Sequence, residues 1–128
     1  MKICPFTLII LVLLANFQLV RAGCDFNEDY LLNVNASIAA SVKSDWDTAL
    51  SITTKMIELD HQNPGYWFFR ANVHSYRMTD EESFRWEEEF FRDIHKAEEL
   101  LVKAETTNSQ GLSFEFRFIK GSTLALKA

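Results

Sequence analysis

The feature that most constrains this chain is a pair of helix patterns that meet at a Pro-Gly corner within residues 45–77. Pro64 disfavours a helical Asn63 and suits the first turn of a following helix. On each side of the corner, side chains recur at intervals of three and four residues, which places them on one helix face. The face before the corner contains Trp46, Ala49, Leu50, Thr53, Met56, Ile57 and Leu59, and the face after it contains Tyr66, Trp67, Phe69, Arg70, Val73 and Tyr76. So short a connection predicts two helices that pack antiparallel.

The helix before the corner resembles the second helix of a tetratricopeptide repeat, a family whose unit is a helix pair of 34 residues. That helix opens with an acidic residue and an aromatic, as Asp45-Trp46-Asp47 does, and then carries a small residue, as Ala49 does. It ends in a Leu-Glu-Leu-Asp-Pro-like run, which Ile57-Glu58-Leu59-Asp60 matches, with His61 in place of the usual proline. After the corner, Arg70-Ala71 fits the first helix of the next repeat.

The resemblance implies an all-α fold of antiparallel helical hairpins, arranged as a short α-solenoid of about two repeats and a partial third. It also implies a scaffold that binds a peptide or a partner protein and catalyses nothing. First helices of this family line the inner, concave groove. In the second repeat those positions are Phe68, Asn72, Ser75 and Tyr76, which the resemblance makes candidate partner-binding residues.

The first 22 residues have the pattern of a secretory signal peptide. A nearly all-apolar run, residues 3–15, follows a basic residue, and Val20 and Ala22 are small enough for a cleavage site. The run is shorter than the roughly 20 residues that span a membrane, although an uncleaved anchor is the alternative. We therefore expect residues 23–128 to form the helical repeat domain and to be exported, either secreted or periplasmic.

Removal of the leader makes the chain more acidic. Of 13 basic residues, Lys2 and Arg21 are lost, so 11 basic and 18 acidic residues remain and the formal charge moves from −5 to −7. Nucleic acid is not an expected partner, because neutralising phosphates requires a basic face. Anionic lipid would also be repelled, so membrane contact is expected only through an anchored amino terminus. A neutral or basic protein partner is easier to accommodate.

Cys24 is the single cysteine that would remain after cleavage, so no internal disulfide is expected. Ala22-Gly23-Cys24 resembles the end of a lipobox, which makes Cys24 a candidate for lipidation, although Arg21 replaces the usual aliphatic residue. An intermolecular disulfide and an exposed free thiol are the other interpretations. Lipidation would make the protein a lipid- or membrane-anchored assembly component, the alternative function.

Helices are also predicted on both sides of the central pair. Residues 30–42 form a moderately amphipathic pattern, and residues 81–105 form a long one that Thr79 or Asp80 would cap. The apolar stripe of the long pattern consists of Phe84, Phe91, Ile94, Ala97, Leu101 and Ala104.

The last segment, residues 112–128, gives two local signals. Alternating Phe114, Phe116 and Phe118 favour a strand, whereas the similarity of its bulky–basic–small order to Trp67–Ala71 favours a helix. We predict a helix that opens a third repeat. Its apolar face either folds back on the long helix, or binds another molecule by self-association, or belongs to the truncated amino-terminal part of a larger repeat protein.

Patterns for catalysis and metal binding are missing from the sequence. It has no His-Glu-x-x-His, no Cys-x-x-Cys, no glycine-rich phosphate loop and no serine-nucleophile motif. His95 and Glu98 or Glu99 lie at helical spacing, which a solvated surface pair explains better than a metal site. We therefore expect no catalytic residue, no metal and no cofactor.

Overall fold

The computed structural model describes residues 28–127, and within this range the chain contains five α-helices and no strand. They are α1 (Glu28–Val42), α2 (Trp46–Leu59), α3 (Pro64–Asp80), α4 (Glu87–Thr107) and α5 (Phe114–Lys127). The predicted all-α fold of helical hairpins is confirmed. The predicted signal peptide and Cys24 lie outside the described residues. Among the described helices, none combines the length and apolar character that crossing a membrane requires.

The helices pack in a regular order. Each helix packs against the next one along the chain, α1 packs against α3, and α3 packs against α5, whereas the backbones of α2 and α4 do not approach each other. Helix α3 therefore packs against all four of the other described helices. This near-neighbour packing is what a solenoid of helical hairpins requires.

The Pro-Gly corner forms as the sequence predicts. Asn63 caps α3 by accepting a hydrogen bond from the backbone N–H of Gly65 at 2.9 Å, and Pro64 occupies the first turn. The indole of Trp67 donates to the carbonyl of His61 at 3.0 Å, which ties α3 back onto the connection. At the other end of α2, Asp45 accepts from the N–H of Thr48 at 3.3 Å. These caps fix the α2–α3 hairpin locally.

Small residues allow the helices of the core to approach closely. Ala49 of α2 and Ala71 of α3 are completely buried, as are Ile94 and Ala97 of α4. The largest apolar cluster joins α3, α4 and α5, and its buried members are Phe68, Ala71, Phe90, Ile94, Ala97, Leu101 and Ile119. Two smaller clusters join α1, α2 and α3 around Tyr30, Val34 and Met56, and around Ala40, Ala49 and Val73.

The prediction of a single helix over residues 81–105 is wrong at its beginning. Helix α3 continues through the expected capping residues to Asp80, residues 81–86 form a loop, and α4 begins only at Glu87. Glu82 has a left-handed backbone with φ 47°. Phe84, assigned to the apolar stripe, is 81% exposed on this loop. Leu59, which spacing placed on the same face as Ala49 and Met56, is exposed at the last position of α2.

Contacts around the loop explain this break. Glu81 accepts hydrogen bonds from the guanidinium of Arg77 at 2.7 Å and from the indole of Trp86 at 3.1 Å. The same guanidinium lies 4.1 Å from the centroid of the Trp86 ring. These contacts hold the ring of Trp86 against α3, which favours a turn at residues 81–86 over a continuous helix.

The last segment is helical, so the choice of helix over strand is confirmed. Helix α5 packs against α3 and α4 and buries Ile119 completely in their shared cluster. Part of its apolar face therefore folds back on α4, in agreement with the first of the three alternatives, and the other two stay predictions. Phe118 and Leu124 of the same helix remain exposed, and self-association through them stays a prediction.

Candidate functional site

A groove of about 430 Å³ lies among α1, α3 and α5, the alternate helices of the solenoid. None of the residues that line it is charged, and most are apolar. They are Ile38, Phe68, Phe69, Asn72, Tyr76, Phe118, Ser122, Ala125 and Leu126. Its size lies within the range of pockets that hold small ligands or a few side chains of a peptide.

The structure brings three of the four predicted binding residues to this groove. Phe68 is almost fully buried in its floor, whereas Tyr76 is 55% exposed. The amide of Asn72 donates to the carbonyl of Phe68 at 3.1 Å, within the same helix. Ser75 does not line the groove, because it faces a neighbouring hollow beside Phe84. Phe118, which the sequence analysis assigned to the apolar face of the last segment and not to the partner-binding set, also lines the groove and is 57% exposed.

A second hollow of about 380 Å³ continues the groove at the carboxyl-terminal ends of α1 and α3. The two share Ile38 and Tyr76, so they form one continuous surface. The remaining residues that line the hollow are Ser41, Val42, Ser44, Trp46, Thr79 and Asp80. Ile38 and Val42, two apolar residues of the amphipathic pattern over residues 30–42, are exposed. A signal for this was available, since residues 30–42 of α1 contain no charge.

Near the beginning of α3, a buried polar contact links α1 with α5. The hydroxyl of Tyr30 interacts with the carboxylate of Glu115, and both side chains are buried. Burial first, and the neighbouring Glu115 charge second, raise the pKa of Tyr30 well above its usual range. Both groups lie over Gly65, in the first turn of α3. An acidic group at a helix amino terminus is favourable because of the helix dipole.

A second buried polar cluster joins α3 to α4. Arg70 donates to the two carboxylate oxygens of Asp93 at 2.7 and 2.9 Å, and Arg92 donates to one of them at 3.2 Å. His74 is buried beside this pair, with its Nε2 3.8 Å from Asp93, and stacks on Trp86. Burial lowers the pKa of His74. Because Asp93 is inaccessible to solvent, this cluster belongs to the core and is not a binding site.

The sequence contains a signal for this pair. Asp93 lies three residues after Phe90 and four before Ala97, so it falls on the buried face of α4. Arg70 likewise belongs to the face that was predicted to pack in α3. A charged residue on a packed helix face needs an oppositely charged partner on the facing helix, since an unpaired buried charge is strongly unfavourable.

Residues 28–127 contain no group of three or more His, Cys, Asp or Glu side chains arranged to hold a metal ion. His95, considered for such a role, is exposed on α4. Its ring lies 6.0 Å from that of Phe91, a surface contact within one helix.

Comparison with family models, with curated proteins and with solved structures finds no match for this chain. The tetratricopeptide resemblance therefore stays a prediction that rests on the residues quoted above.

Proposed function

We propose that this protein is an exported, non-catalytic interaction module that binds a peptide or helix of a partner protein in the groove among α1, α3 and α5. The observation that carries the proposal is the lining of that groove. It is uncharged, mostly apolar, and contributed by three alternate helices of a solenoid. The tetratricopeptide resemblance supports the same use, because first helices of that family line the partner-binding surface.

Exposed aromatic side chains support binding at this surface. Tyr76 of α3 and Phe118 of α5 both line the groove, and each exposes more than half of its surface. Aromatic anchors at the centre of an apolar patch dominate the energetics of many protein interfaces. Ile38 and Val42 extend the exposed apolar surface towards the end of α1. An apolar surface of this kind becomes more stable when a partner removes it from water.

The test is selection of binders from a displayed library of random peptides, using the protein purified from an exporting host. Peptides that bind the wild type are then measured against Phe118→Glu and against a control, Leu59→Glu. Both positions are exposed and helical, but Leu59 lies on α2 away from the groove. We expect Phe118→Glu to weaken binding by roughly tenfold or more, because it places a charge in an apolar contact. Leu59→Glu should leave binding unchanged.

Circular dichroism of both variants checks that the helices are retained. The proposal is wrong if the library yields no binder. It is also wrong if selected peptides bind the folded Phe118→Glu variant as tightly as the wild type.

A further inference from the structure

The hollow that continues the groove has a different chemistry from the groove itself. It combines two aromatic side chains, Trp46 and Tyr76, with the carboxylate of Asp80. Trp46 is half-buried at the start of α2, whereas Tyr76 and Asp80 are exposed on the last turns of α3. Aromatic faces and a carboxylate around one cavity are the groups that recognise an organic cation.

The charges around the hollow are also suited to a cation. Within residues 28–127, the side chain of Asp80 forms no ion pair and no hydrogen bond, whereas its neighbour Glu81 is paired with Arg77. The carboxyl-terminal ends of α1 and α3 meet here, and each carries a partial negative charge. The amino-terminal end of α2 carries a partial positive charge, which its acidic cap, Asp45, offsets. No basic residue lines the hollow. The two basic residues next to lining residues in the chain are Lys43, which is exposed, and Arg77, which is paired with Glu81.

We propose that this hollow binds a lysine or arginine side chain of the partner segment that occupies the groove. The inference rests on the proposed function and specifies the chemistry of its partner. Since Ile38 and Tyr76 belong to both cavities, one continuous segment can reach them together. That segment carries apolar residues for the groove and a basic residue towards the carboxyl-terminal end of α3. The net charge of −5 for the whole chain favours the approach of such a segment.

The experiment extends the peptide selection. The same displayed library is selected in parallel on the wild type, on Asp80→Asn, and on Asp47→Asn as a control. Both substitutions remove one exposed negative charge, but Asp47 lies in the first turn of α2 and does not line the hollow. A selected peptide and its copy with the basic residue replaced by norleucine are then titrated against all three proteins.

We expect the wild type and Asp47→Asn to select peptides with a lysine or arginine at a fixed distance from apolar residues. Asp80→Asn should select the apolar residues without the basic one. It should bind the original peptide roughly three- to tenfold more weakly, and should bind the norleucine copy as the wild type does.

Failure of this inference differs from failure of the proposed function. Binders that depend on Phe118 but show no preference for a basic residue would overturn the inference alone. An equal loss of binding in Asp80→Asn and Asp47→Asn would also overturn it, because it would indicate long-range attraction without a specific pocket. A library that yields no binder at all would overturn both.

Discussion

The buried pair of Arg70 and Asp93 gives the strongest quantitative prediction for the stability of the fold. Asp93 has no exposed side-chain surface, and Arg70 is 14% exposed. Removing one partner of a buried ion pair typically lowers the free energy of unfolding by about 3–5 kcal/mol. Replacing both by apolar residues of similar volume is often neutral, or stabilising by about 1–4 kcal/mol.

The two single substitutions are expected to differ. Arg70→Met leaves the Asp93 carboxylate in the core with Arg92, whose side chain is 58% exposed, as its remaining donor at hydrogen-bond distance. We expect Arg70→Met to lower the free energy of unfolding by about 4–5 kcal/mol, near the upper end of the range for a broken buried pair. Asp93→Leu leaves a guanidinium that still contacts Thr54 at 3.4 Å and the ring of Trp67 at 5.1 Å, and that reaches water. We therefore expect Asp93→Leu to lower the free energy of unfolding by about 3 kcal/mol.

The assay is urea denaturation followed by circular dichroism, with thermal unfolding in parallel. A loss of 3 kcal/mol corresponds to a melting temperature lower by at least about 12 °C in a domain of this size. The double variant Arg70→Met/Asp93→Leu should regain most of the free energy of unfolding that Arg70→Met alone loses. Lys96→Met, which breaks an exposed pair with Glu99 at 2.8 Å, serves as the control and should change stability by less than about 1 kcal/mol.

Two results would refute this reasoning. If both single variants lost less than about 1 kcal/mol, the pair would not be buried as described. If the double variant were as unstable as the sum of the singles, the two residues would act independently and not as a pair.

Two further predictions concern the contrast between Gly65 and Gly121, and the titration of His74. A methyl group on Gly65 would lie 3.0 Å from the hydroxyl of Tyr30, so Gly65→Ala should destabilise the protein by about 1 kcal/mol or more. A methyl group on Gly121 would have nothing within 4 Å, so Gly121→Ala should stabilise α5 by up to about 1 kcal/mol. Urea denaturation of both variants tests this contrast, and stabilisation by Gly65→Ala would contradict it. Because burial lowers the pKa of His74 below its ordinary value of 6.5, the unfolded chain binds a proton more readily, so the free energy of unfolding should fall as the pH drops below about 6.5. Between about pH 7.5 and about pH 5.5, the free energy of unfolding should fall less in His74→Phe than in the wild type. The control His95→Gln, at an exposed site, should show the same fall as the wild type. Identical falls in all three proteins would exclude His74 as the cause.

Local signals were sufficient for most of the helices. The Pro-Gly corner, the Asp45 cap and the three-to-four spacing of apolar residues predicted α2 and α3 within a few residues of their observed ends. The same spacing predicted α1, and the internal similarity to Trp67–Ala71 predicted that α5 is a helix. These features act within one or two helical turns, so a sequence window contains all the atoms that decide them.

The loop at residues 81–86 shows where local signals fail. A Thr-Asp pair followed by acidic residues has the composition of a helix start, yet here α3 ends at that point. The outcome depends on the position of Trp86 against Arg77 and His74, which belong to the preceding helix. Such a contact is created by folding and is invisible to a pattern of spacing.

The candidate site shows the same division. The family resemblance assigned Phe68, Asn72 and Tyr76 to the partner-binding surface, and the structure places all three at the groove. The walls that α1 and α5 contribute, through Ile38 and Phe118, follow from how these helices pack against α3. The resemblance assigned Ser75 to the same surface, but Ser75 lines a different hollow together with Phe84.

The sequence by itself therefore determined most of the helical segments and their apolar faces, because periodicity and capping are properties of neighbouring residues. Only the tertiary structure decided which apolar side chains remain in water, and that Arg70 pairs with Asp93 across 23 residues. It also decided that Trp46, Tyr76 and Asp80 share one cavity. The physical reason is that burial and charge pairing depend on distances between helices, and those distances exist only after the helices have packed.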